Sequence, residues 1–397
     1  MKPSLIRIIL IAAVLGTTIF AAYFGWRAFF VSNASKALVP DLPAGGIFPA
    51  EPGGGAENSE ERNSAQEISS EGKVQLERIS NAPASDFWIN LLTDEVFYLT
   101  EDGRVFKVNE KEDTEISRQT LGPLNSATPS RSGESMLVSF GGRENPRWAI
   151  FDAASGAWHP LPSGIRAAAW GRNSDEIFAV VTQNGTRPLV RMDLSKTPLS
   201  SQTILRDLNL EEVALAFRES PDALVISEPP SARIASRTWL LDLSPKTPTL
   251  ATLFPPAYRF TVAVSNGGTL YLASGEQFRI LDAETKENAF LLPFHTLSGK
   301  CATELTSDGD FAWCFVPRSS LAEVAAAEDY RRRKTFSVDT LYALDIYNDE
   351  LLKVFESGVD DVPAIDAEKP RYGRGGVYFI NRYDNLVYRL RLNADSD

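Results

Sequence analysis

The chain has 397 residues, of which 43% are hydrophobic and 23% charged, and its formal net charge is −12. These proportions are ordinary for a globular protein. The acidity disfavours nucleic acid as a partner, because binding to a phosphate backbone needs clustered Lys and Arg. The chain has only two cysteines and two histidines, which argues against structural zinc sites. No metal or cofactor is predicted.

The N-terminal region contains a long apolar run. Residues 8–26 read IILIAAVLGTTIFAAYFGW, nineteen residues without a charge, flanked by Arg7 and Arg27. A helix of this length spans a hydrocarbon core of roughly 30 Å, whereas the apolar part of a cleaved signal peptide is usually only about 7–15 residues long. We therefore predict a cytoplasmic tail over 1–7 and an uncleaved transmembrane signal anchor over 8–30. Basic residues on both sides leave only a weak positive-inside bias for this orientation.

The composition changes abruptly after the apolar run. Residues 43–72 are rich in Gly, Pro, Ala, Ser and Glu, with Ile47, Phe48 and Ile68 as the large apolar residues. Such a segment buries too little surface to offset the entropy lost on ordering. The sequence therefore predicts a disordered linker over 31–72, which acts as a spacer.

From residue 73 onward, short apolar runs alternate with turn signals, which is typical of an all-β domain. Residues 73–80 form one alternating strand, and residues 96–108 form a hairpin around Asp102-Gly103. A strand that ends in an apolar residue followed by an acid or amide recurs at intervals of 40–49 residues, apart from one interval of 63 that contains an insertion. These positions are Asn109, Asp152, Asp193, Asp242, Asp282 and Asp345. An aspartate there can accept backbone hydrogen bonds and start a turn, which explains the pattern better than a ring of metal-binding carboxylates.

A repeat of 40–50 residues that holds four strands is the signature of a propeller blade. Seven repeats can be counted, over 86–121, 126–162, 166–205, 213–254, 258–293, 300–356 and 362–393. We predict an all-β fold, a seven-bladed β-propeller over 73–393, with six or eight blades as alternatives and a tail over 394–397. The strand at 73–80 is expected to complete the last blade, because closing the ring removes exposed sheet edges.

The aromatic residues on these strands are expected to pack between blades rather than to stack on a ligand. The set comprises Phe87, Trp88, Phe97, Trp148, Trp170, Trp239, Trp313 and Tyr342.

The most distinctive segment lies at 299–345. Two strands, 301–305 and 311–316, flank a turn, and a loop over 306–309 would place Cys301 opposite Cys314. We predict a disulfide between them, worth on the order of 3 kcal/mol in the chain-entropy model. The prediction holds for a domain outside the cytoplasm. A different register or a reducing compartment would leave two free thiols.

Three parts of this segment resemble a known motif block. They are the Lys300-Cys301 pair and the two runs Trp313-Cys314-Phe315-Val316-Pro317 and Phe336-Ser337-Val338-Asp339-Thr340-Leu341. The block is similar to one in membrane-anchored, WD-repeat-like (Tol-type) β-propeller proteins of small-genome bacteria, which share the plan of tail, helix, acidic tether and propeller. The resemblance implies a single-pass protein of the bacterial cytoplasmic membrane, with its N-terminus inside and its large domain outside. It implies no biochemical activity.

The chain departs from that group between Pro317 and Phe336. The group has an aromatic, Asp-rich stretch there, and this chain has Glu328-Asp329-Tyr330-Arg331 instead, so the resemblance assigns no ligand site. Residues 319–334 read as an inserted helix that ends in basic residues, as the helix dipole favours, with Tyr330 on its inward stripe. Its basic end is a possible partner-binding lip, formed by Tyr330, Arg331, Arg332, Arg333 and Lys334. The alternative is a solvated helix end.

Two functional classes remain at this point. The preferred one is a non-catalytic module, tethered at the cell envelope, that binds a protein or an envelope ligand on a propeller face, as many propellers do. The alternative is an extracytoplasmic hydrolase or lyase, acting on a glycan or small substrate, with carboxylates at the central channel. The chain has no G-x-S-x-G motif, and His159 and His295 are expected to be structural rather than catalytic.

Overall fold

The computed structural model describes residues 74–208, 210–219, 222–244, 246–265, 268–275, 277–306, 309–318, 330, 333–359 and 363–392. Within these residues the secondary structure is almost entirely β, with one short 3₁₀ helix, Ser298–Lys300. The strands, in chain order, are β1 (Val74–Arg78), β2 (Asp86–Ile89), β3 (Val96–Leu99), β4 (Val105–Lys107), β5 (Thr114–Ser117), β6 (Leu124–Pro129), β7 (Ser135–Phe140), β8 (Arg147–Asp152), β9 (Ala157–Pro160), β10 (Ile165–Trp170), β11 (Glu176–Val181), β12 (Leu189–Asp193), β13 (Ser200–Leu205), β14 (Ala214–Arg218), β15 (Ala223–Ser227), β16 (Ser236–Asp242), β17 (Thr249–Ala257), β18 (Thr261–Val264), β19 (Leu270–Ser274), β20 (Phe278–Asp282), β21 (Asn288–Leu291), β22 (Cys301–Thr306), β23 (Gly309–Pro317), β24 (Asp339–Asp345), β25 (Glu350–Glu356), β26 (Ala367–Gly373), β27 (Gly376–Asn381) and β28 (Leu386–Leu392).

The strands form seven four-stranded antiparallel sheets, and the prediction of a seven-bladed propeller is confirmed. Blades 1 to 6 each use four consecutive strands, from β2–β5 to β22–β25. Blade 7 has the order β26, β27, β28, β1, so its outer strand comes from the start of the domain. The pairing of β1 with β28 runs from Val74 opposite Leu392 to Arg78 opposite Tyr388. This exchange closes the ring by joining the two ends of the domain within one sheet.

The alternating strand directions give the propeller two distinct faces. The first and third strands of every blade begin on one face, which we call the upper face, and the second and fourth strands end there. The upper face therefore carries the segments that join consecutive blades and those that join second to third strands. In blades 4 to 7 these are the described residues of 228–235, 258–260, 275–277, 292–300, 318–338, 357–366 and 382–385. The remaining turns lie on the lower face.

The recurring aspartates start turns, as predicted. Asp152 accepts hydrogen bonds from the N–H groups of Ala154 and Ser155, at 2.8 and 3.1 Å. Four others make the same contact with the residues just ahead of them: Asp193, Asp242, Asp282 and Asp345. Each ends the third strand of its blade. The repeat thus encodes the lower-face turn between the third and fourth strands.

The hydrophobic core is divided into seven clusters, one between each pair of neighbouring blades. All eight aromatic residues singled out in the sequence belong to these clusters or pack against them, so the prediction of inter-blade packing is confirmed. Two indoles also tie blades together through hydrogen bonds. Trp148 donates to the carbonyl of Ile165 at 3.1 Å, and Trp170 donates to that of Thr128 at 2.8 Å.

Several predicted segments lie outside the described residues. They are the cytoplasmic tail (1–7), the anchor (8–30), the linker (31–72), the C-terminal tail (394–397) and most of the inserted helix (319–334). Among the described residues, no helix has the length and apolarity to cross a membrane.

Candidate binding surface

The predicted disulfide is present. Cys301 on β22 lies directly opposite Cys314 on β23, with their Cα atoms 4.1 Å apart, and the two sulfurs are bonded. The register is the one that the sequence predicts. The bond joins the first two strands of blade 6 near the upper face, and it fixes the backbone position next to Lys300.

Lys300 is the centre of a buried polar network at the upper face between blades 6 and 7. Its side chain is 1% exposed, and its ammonium group contacts two carboxylates. Nζ lies 2.5 Å from Oδ2 of Asp339 and 2.8 Å from Oδ1 of Asp366. The same nitrogen donates to the hydroxyl of Ser337 at 3.2 Å and to the carbonyl of Ala367 at 3.1 Å.

Arg382 supplies the second cation of this network. Its side chain is 1% exposed, and Nη1 lies 2.8 Å from Oδ2 of Asp366. The two remaining bonds of its guanidinium go to backbone carbonyls of the blade-6 insertion, from Nη1 to Thr335 and from Nη2 to Tyr330, both at 3.0 Å. The hydroxyl of Tyr330 donates to Asp366 at 2.6 Å. Arg382 and Tyr330 therefore hold the inserted segment against blade 7.

The network contains two cations and two carboxylates, and its charges shift the pKa values of its members. Burial alone would favour the neutral amine of Lys300, but the combined effect of Asp339, Tyr330 and Asp366 outweighs burial and raises the pKa of Lys300. Burial would also raise the pKa of Asp366, yet Lys300, the Tyr330 hydroxyl and Arg382 together hold that pKa below its usual value. Burial raises the pKa of Asp339 and of Tyr330. Lys300 stays an ammonium and Tyr330 a neutral phenol at physiological pH.

Backbone groups complete the network. The N–H of Ala367 donates to Oδ2 of Asp339 at 2.8 Å, and the N–H of Ser337 donates to Oδ2 of Asp366 at 3.0 Å. Buried charges are tolerated only when they are paired and hydrogen-bonded. The many bonds to both carboxylates meet that condition. The network is therefore a rigid support for the residues above it.

Aromatic rings cover the network on its solvent side. The guanidinium carbon of Arg382 lies 3.9 Å from the ring centroid of Tyr330 and 4.9 Å from that of Phe336. Phe336 stacks on Tyr383, with centroids 5.5 Å apart and an interplanar angle of 19°. Tyr330 is buried, whereas Phe336 and Tyr383 are each 47% exposed. We call Phe336 and Tyr383 the aromatic pair.

The structure gives the predicted lip residues different positions. Tyr330 lies in the interior, as the inward stripe predicts, so it supports the surface rather than forming it. Arg333 is exposed and pairs with Glu368, with Nη2 2.8 Å from Oε2. Lys334 is exposed beside it. Arg331 and Arg332 lie outside the described residues.

Sequence reasoning missed much of this surface. Asp366, Arg382 and Tyr383 come from blade 7 and reach the network through the fold, so no local spacing links them to Lys300. A partial signal existed, because Lys300, Ser337 and Asp339 all lie in the motif block that carries the resemblance. The block thus marks residues that hold two blades together.

The inner strands carry three acids among the described residues, and each has a partner. Asp86 contacts Lys369 at 2.7 Å and Arg371 at 2.9 Å. Glu368 pairs with Arg333. Glu304 accepts a hydrogen bond from Tyr372, whose pKa is raised to about 12 by burial and by that contact. All three carboxylates of the inner strands are therefore held by contacts with other side chains.

Neither histidine joins these acids. His159 lies on β9, the outer strand of blade 2, and His295 lies in the segment between blades 5 and 6; both are exposed. In the part of the chain that the structure describes, no three side chains of His, Cys, Asp and Glu converge as metal ligands would.

Comparisons with known proteins address the fold. No family model and no curated protein sequence matches the chain. Among solved structures, an oligogalacturonate lyase in complex with manganese matches with a TM-score of 0.56 and 12% identity, over 84% of this chain and 96% of that one. The Cps50 (Swd1) β-propeller domain of Myceliophteria thermophila matches with a TM-score of 0.52 and 12% identity, over 80% and 100%. A chain of the mitotic checkpoint complex matches with a TM-score of 0.51 and 11% identity, over 90% and 100%. At sequence identities this low, the structural similarity shows only a shared β-propeller fold. The seven four-stranded sheets show the same fold independently.

Proposed function

We propose that this protein is a non-catalytic binding module whose upper face recruits a protein partner at the cell envelope. The observation that carries the proposal is the aromatic pair. Two half-exposed rings stack on each other above a buried network that fixes the loops beneath them. Contiguous exposed apolar groups mark interaction sites, and binding hot spots are enriched in tyrosine.

The buried network holds the aromatic pair in place. This favours a role for the two rings in recognition over exposure without a function. Arg382 contacts the ring of Phe336 while it bonds to Asp366, and the hydroxyl of Tyr383 donates to the carbonyl of Ser337 at 3.1 Å. Each ring is thus attached to the network by its own contact. Because the rings are already ordered, a partner that binds them loses less conformational entropy than one that must order flexible loops.

The proposed location is outside the cytoplasm, with residues 8–30 as the membrane anchor and residues 31–72 as the spacer. The disulfide between Cys301 and Cys314 supports this location, because such bonds persist in oxidising compartments. Mass measurement on protein isolated without reductant is expected to find the bond intact. Two free thiols in that sample would contradict an external location.

The binding proposal can be tested with a photo-crosslinking amino acid at Phe336 in the full chain expressed in cells. The matched control carries the same group at Tyr347, which is 81% exposed on the lower-face turn of the same blade. We expect a discrete crosslinked species from position 336 and none from position 347. No species from position 336, or the same species from both positions, would rule out the aromatic pair as a recognition surface.

A further inference from the structure

A second group of residues on the upper face has features of a binding surface. It consists of Arg233, Ile234, Tyr258 and Arg259, which we call the blade-4 patch. Ile234 is 71% exposed and Tyr258 is 61% exposed, and both arginines are exposed as well. Two arginines therefore flank two large apolar side chains that face water.

The patch is built from two segments that are bonded to each other. The N–H of Arg259, in the segment joining blade 4 to blade 5, donates to the carbonyl of Ser231 at 2.8 Å. The hydroxyl of Ser231 accepts the N–H groups of Arg233 at 3.1 Å and of Ile234 at 3.3 Å. Arg259 also has a left-handed backbone, with φ of 57°, a conformation that is uncommon for a residue with a side chain. The four side chains are thus carried on an ordered backbone.

The two arginines of the patch are not neutralised by an acid. Exposed arginines commonly pair with acids here, as in the contacts of Arg131 with Glu219 and of Arg172 with Asp222. Within the described residues, the guanidinium groups of Arg233 and Arg259 have no carboxylate within 4 Å. On a chain with a net charge of −12, two unpaired cations beside exposed apolar side chains form a local site of opposite sign. Such a site attracts an anionic partner.

We infer that the partner is an acidic polypeptide segment, carrying aromatic or branched apolar side chains, that lies across the upper face from the blade-4 patch to the aromatic pair. This inference rests on the proposed binding function. Both surfaces lie on the same face, with one blade between them, and both combine exposed apolar groups with basic side chains. A segment of about 20 extended residues spans roughly 65 Å.

The same face disfavours an anionic lipid surface as the occupant. Glu211 and Glu212 are exposed in the segment that joins blade 3 to blade 4. A flat bilayer must approach every loop of the face, including these acids, whereas a narrow polypeptide contacts only the loops along its path. Charge complementarity therefore selects the polypeptide.

The test uses the full chain and a fluorescein-labelled synthetic peptide of 20 residues that combines Glu with two Trp. A matched peptide carries Lys in place of Glu. Binding is measured by fluorescence anisotropy for the unchanged protein and for the double variant R233E/R259E. The control variant K246E/K286E makes the same change in net charge at two exposed residues in lower-face turns.

We expect the acidic peptide to bind the unchanged protein and the Lys peptide not to bind. The R233E/R259E variant should bind about tenfold or more weakly, a change of about 1.4 kcal/mol or more, and K246E/K286E should bind as the unchanged protein does. The variant F336S changes the aromatic pair alone, so it distinguishes the proposed function from the inference about the blade-4 patch. Weakening by F336S without weakening by R233E/R259E would overturn the blade-4 inference and leave the aromatic pair intact. No binding of the acidic peptide, or binding instead to vesicles of anionic lipid, would overturn the inference as well.

Discussion

Lys300 shows how a single residue can set the energetics of a whole inter-blade contact. Its ammonium is almost completely buried and contacts both Asp339 and Asp366. Removing one member of a buried ion pair leaves an uncompensated charge, which costs far more than an exposed pair contributes. The contact between blades 6 and 7 therefore depends on this residue more than on any single methyl group of its hydrophobic cluster.

We expect Lys300→Met to lower the free energy of unfolding by about 3–5 kcal/mol, because Asp339 loses its cation and Asp366 keeps only Arg382. Lys353→Met is the matched control in the same blade, since the side chains of Lys353 and of its partner Glu356 are 55% and 33% exposed. That change should cost about 1 kcal/mol or less. Urea denaturation of both variants measures the difference. Equal midpoints would mean that the network does not stabilise the fold.

At the residue scale, the sequence predicted contacts between residues that are close in the chain or that lie opposite each other in a hairpin. The Cys301–Cys314 bond followed from hairpin register, and the aspartate turns followed from hydrogen bonds to residues two or three positions ahead. The partners of Lys300 could not be predicted in the same way. Asp339 is 39 residues away and Asp366 is 66 residues away, and only the packing of two blades brings them together.

At the scale of elements, β1 has a role beyond its five residues. It supplies the outer strand of blade 7 and joins the start of the domain to its end through the pairing with β28. Leu76 on this strand is buried in the cluster between blades 6 and 7. The alternating apolar and polar residues before the first repeat indicated the strand β1. The open edge of the last blade indicated that β1 pairs there. The helical content of the inserted segment at 319–334 stays a prediction.

A chain that begins at residue 80 should lose this closure, whereas one that begins at residue 73 should keep it. Without β1, the backbone groups of β28 form an open edge, which favours pairing with other chains. We expect the shorter chain to elute as oligomers or aggregate in size-exclusion chromatography and to unfold at a lower urea concentration. If both chains are monomeric with the same midpoint, β1 is dispensable for closure.

At the scale of the whole molecule, repetition explains why the fold could be predicted and the binding surface could not. Every blade has four antiparallel strands, and blades 2 to 6 repeat the turn aspartate, so the blade count follows from the sequence period. The aromatic pair and the blade-4 patch occur once each, in upper-face segments that differ from blade to blade. The repeated part of the sequence specifies the propeller. The upper-face segments that differ between blades contain the candidate binding residues.

Acid should destabilise the folded protein, because several carboxylates have their pKa lowered in the folded state. Backbone hydrogen bonds lower the pKa of Asp282, from the N–H of Thr285, and of Asp345, from that of Asn348. The combined effect of Lys300, Tyr330 and Arg382 on Asp366 outweighs burial, so the pKa of Asp366 is lowered too. A carboxylate with a lowered folded pKa stabilises the protein fully above its unfolded pKa, near 3.8 for Asp, and that contribution is lost as the pH falls below it. Asp339 has the opposite effect on the pH dependence of stability, because burial raises its pKa. It is one group, whereas several carboxylates have a lowered pKa.

We therefore expect the urea midpoint to be steady between about pH 7 and pH 5 and to fall steeply below about pH 4. Asp345→Asn keeps an acceptor for the turn but removes a titrating group, so its midpoint should fall less steeply with acid than that of the unchanged protein. Urea denaturation at a series of pH values measures both curves. A midpoint that rises on acidification would show that carboxylates resembling Asp339, destabilised by burial, outweigh those held by hydrogen bonds and cations.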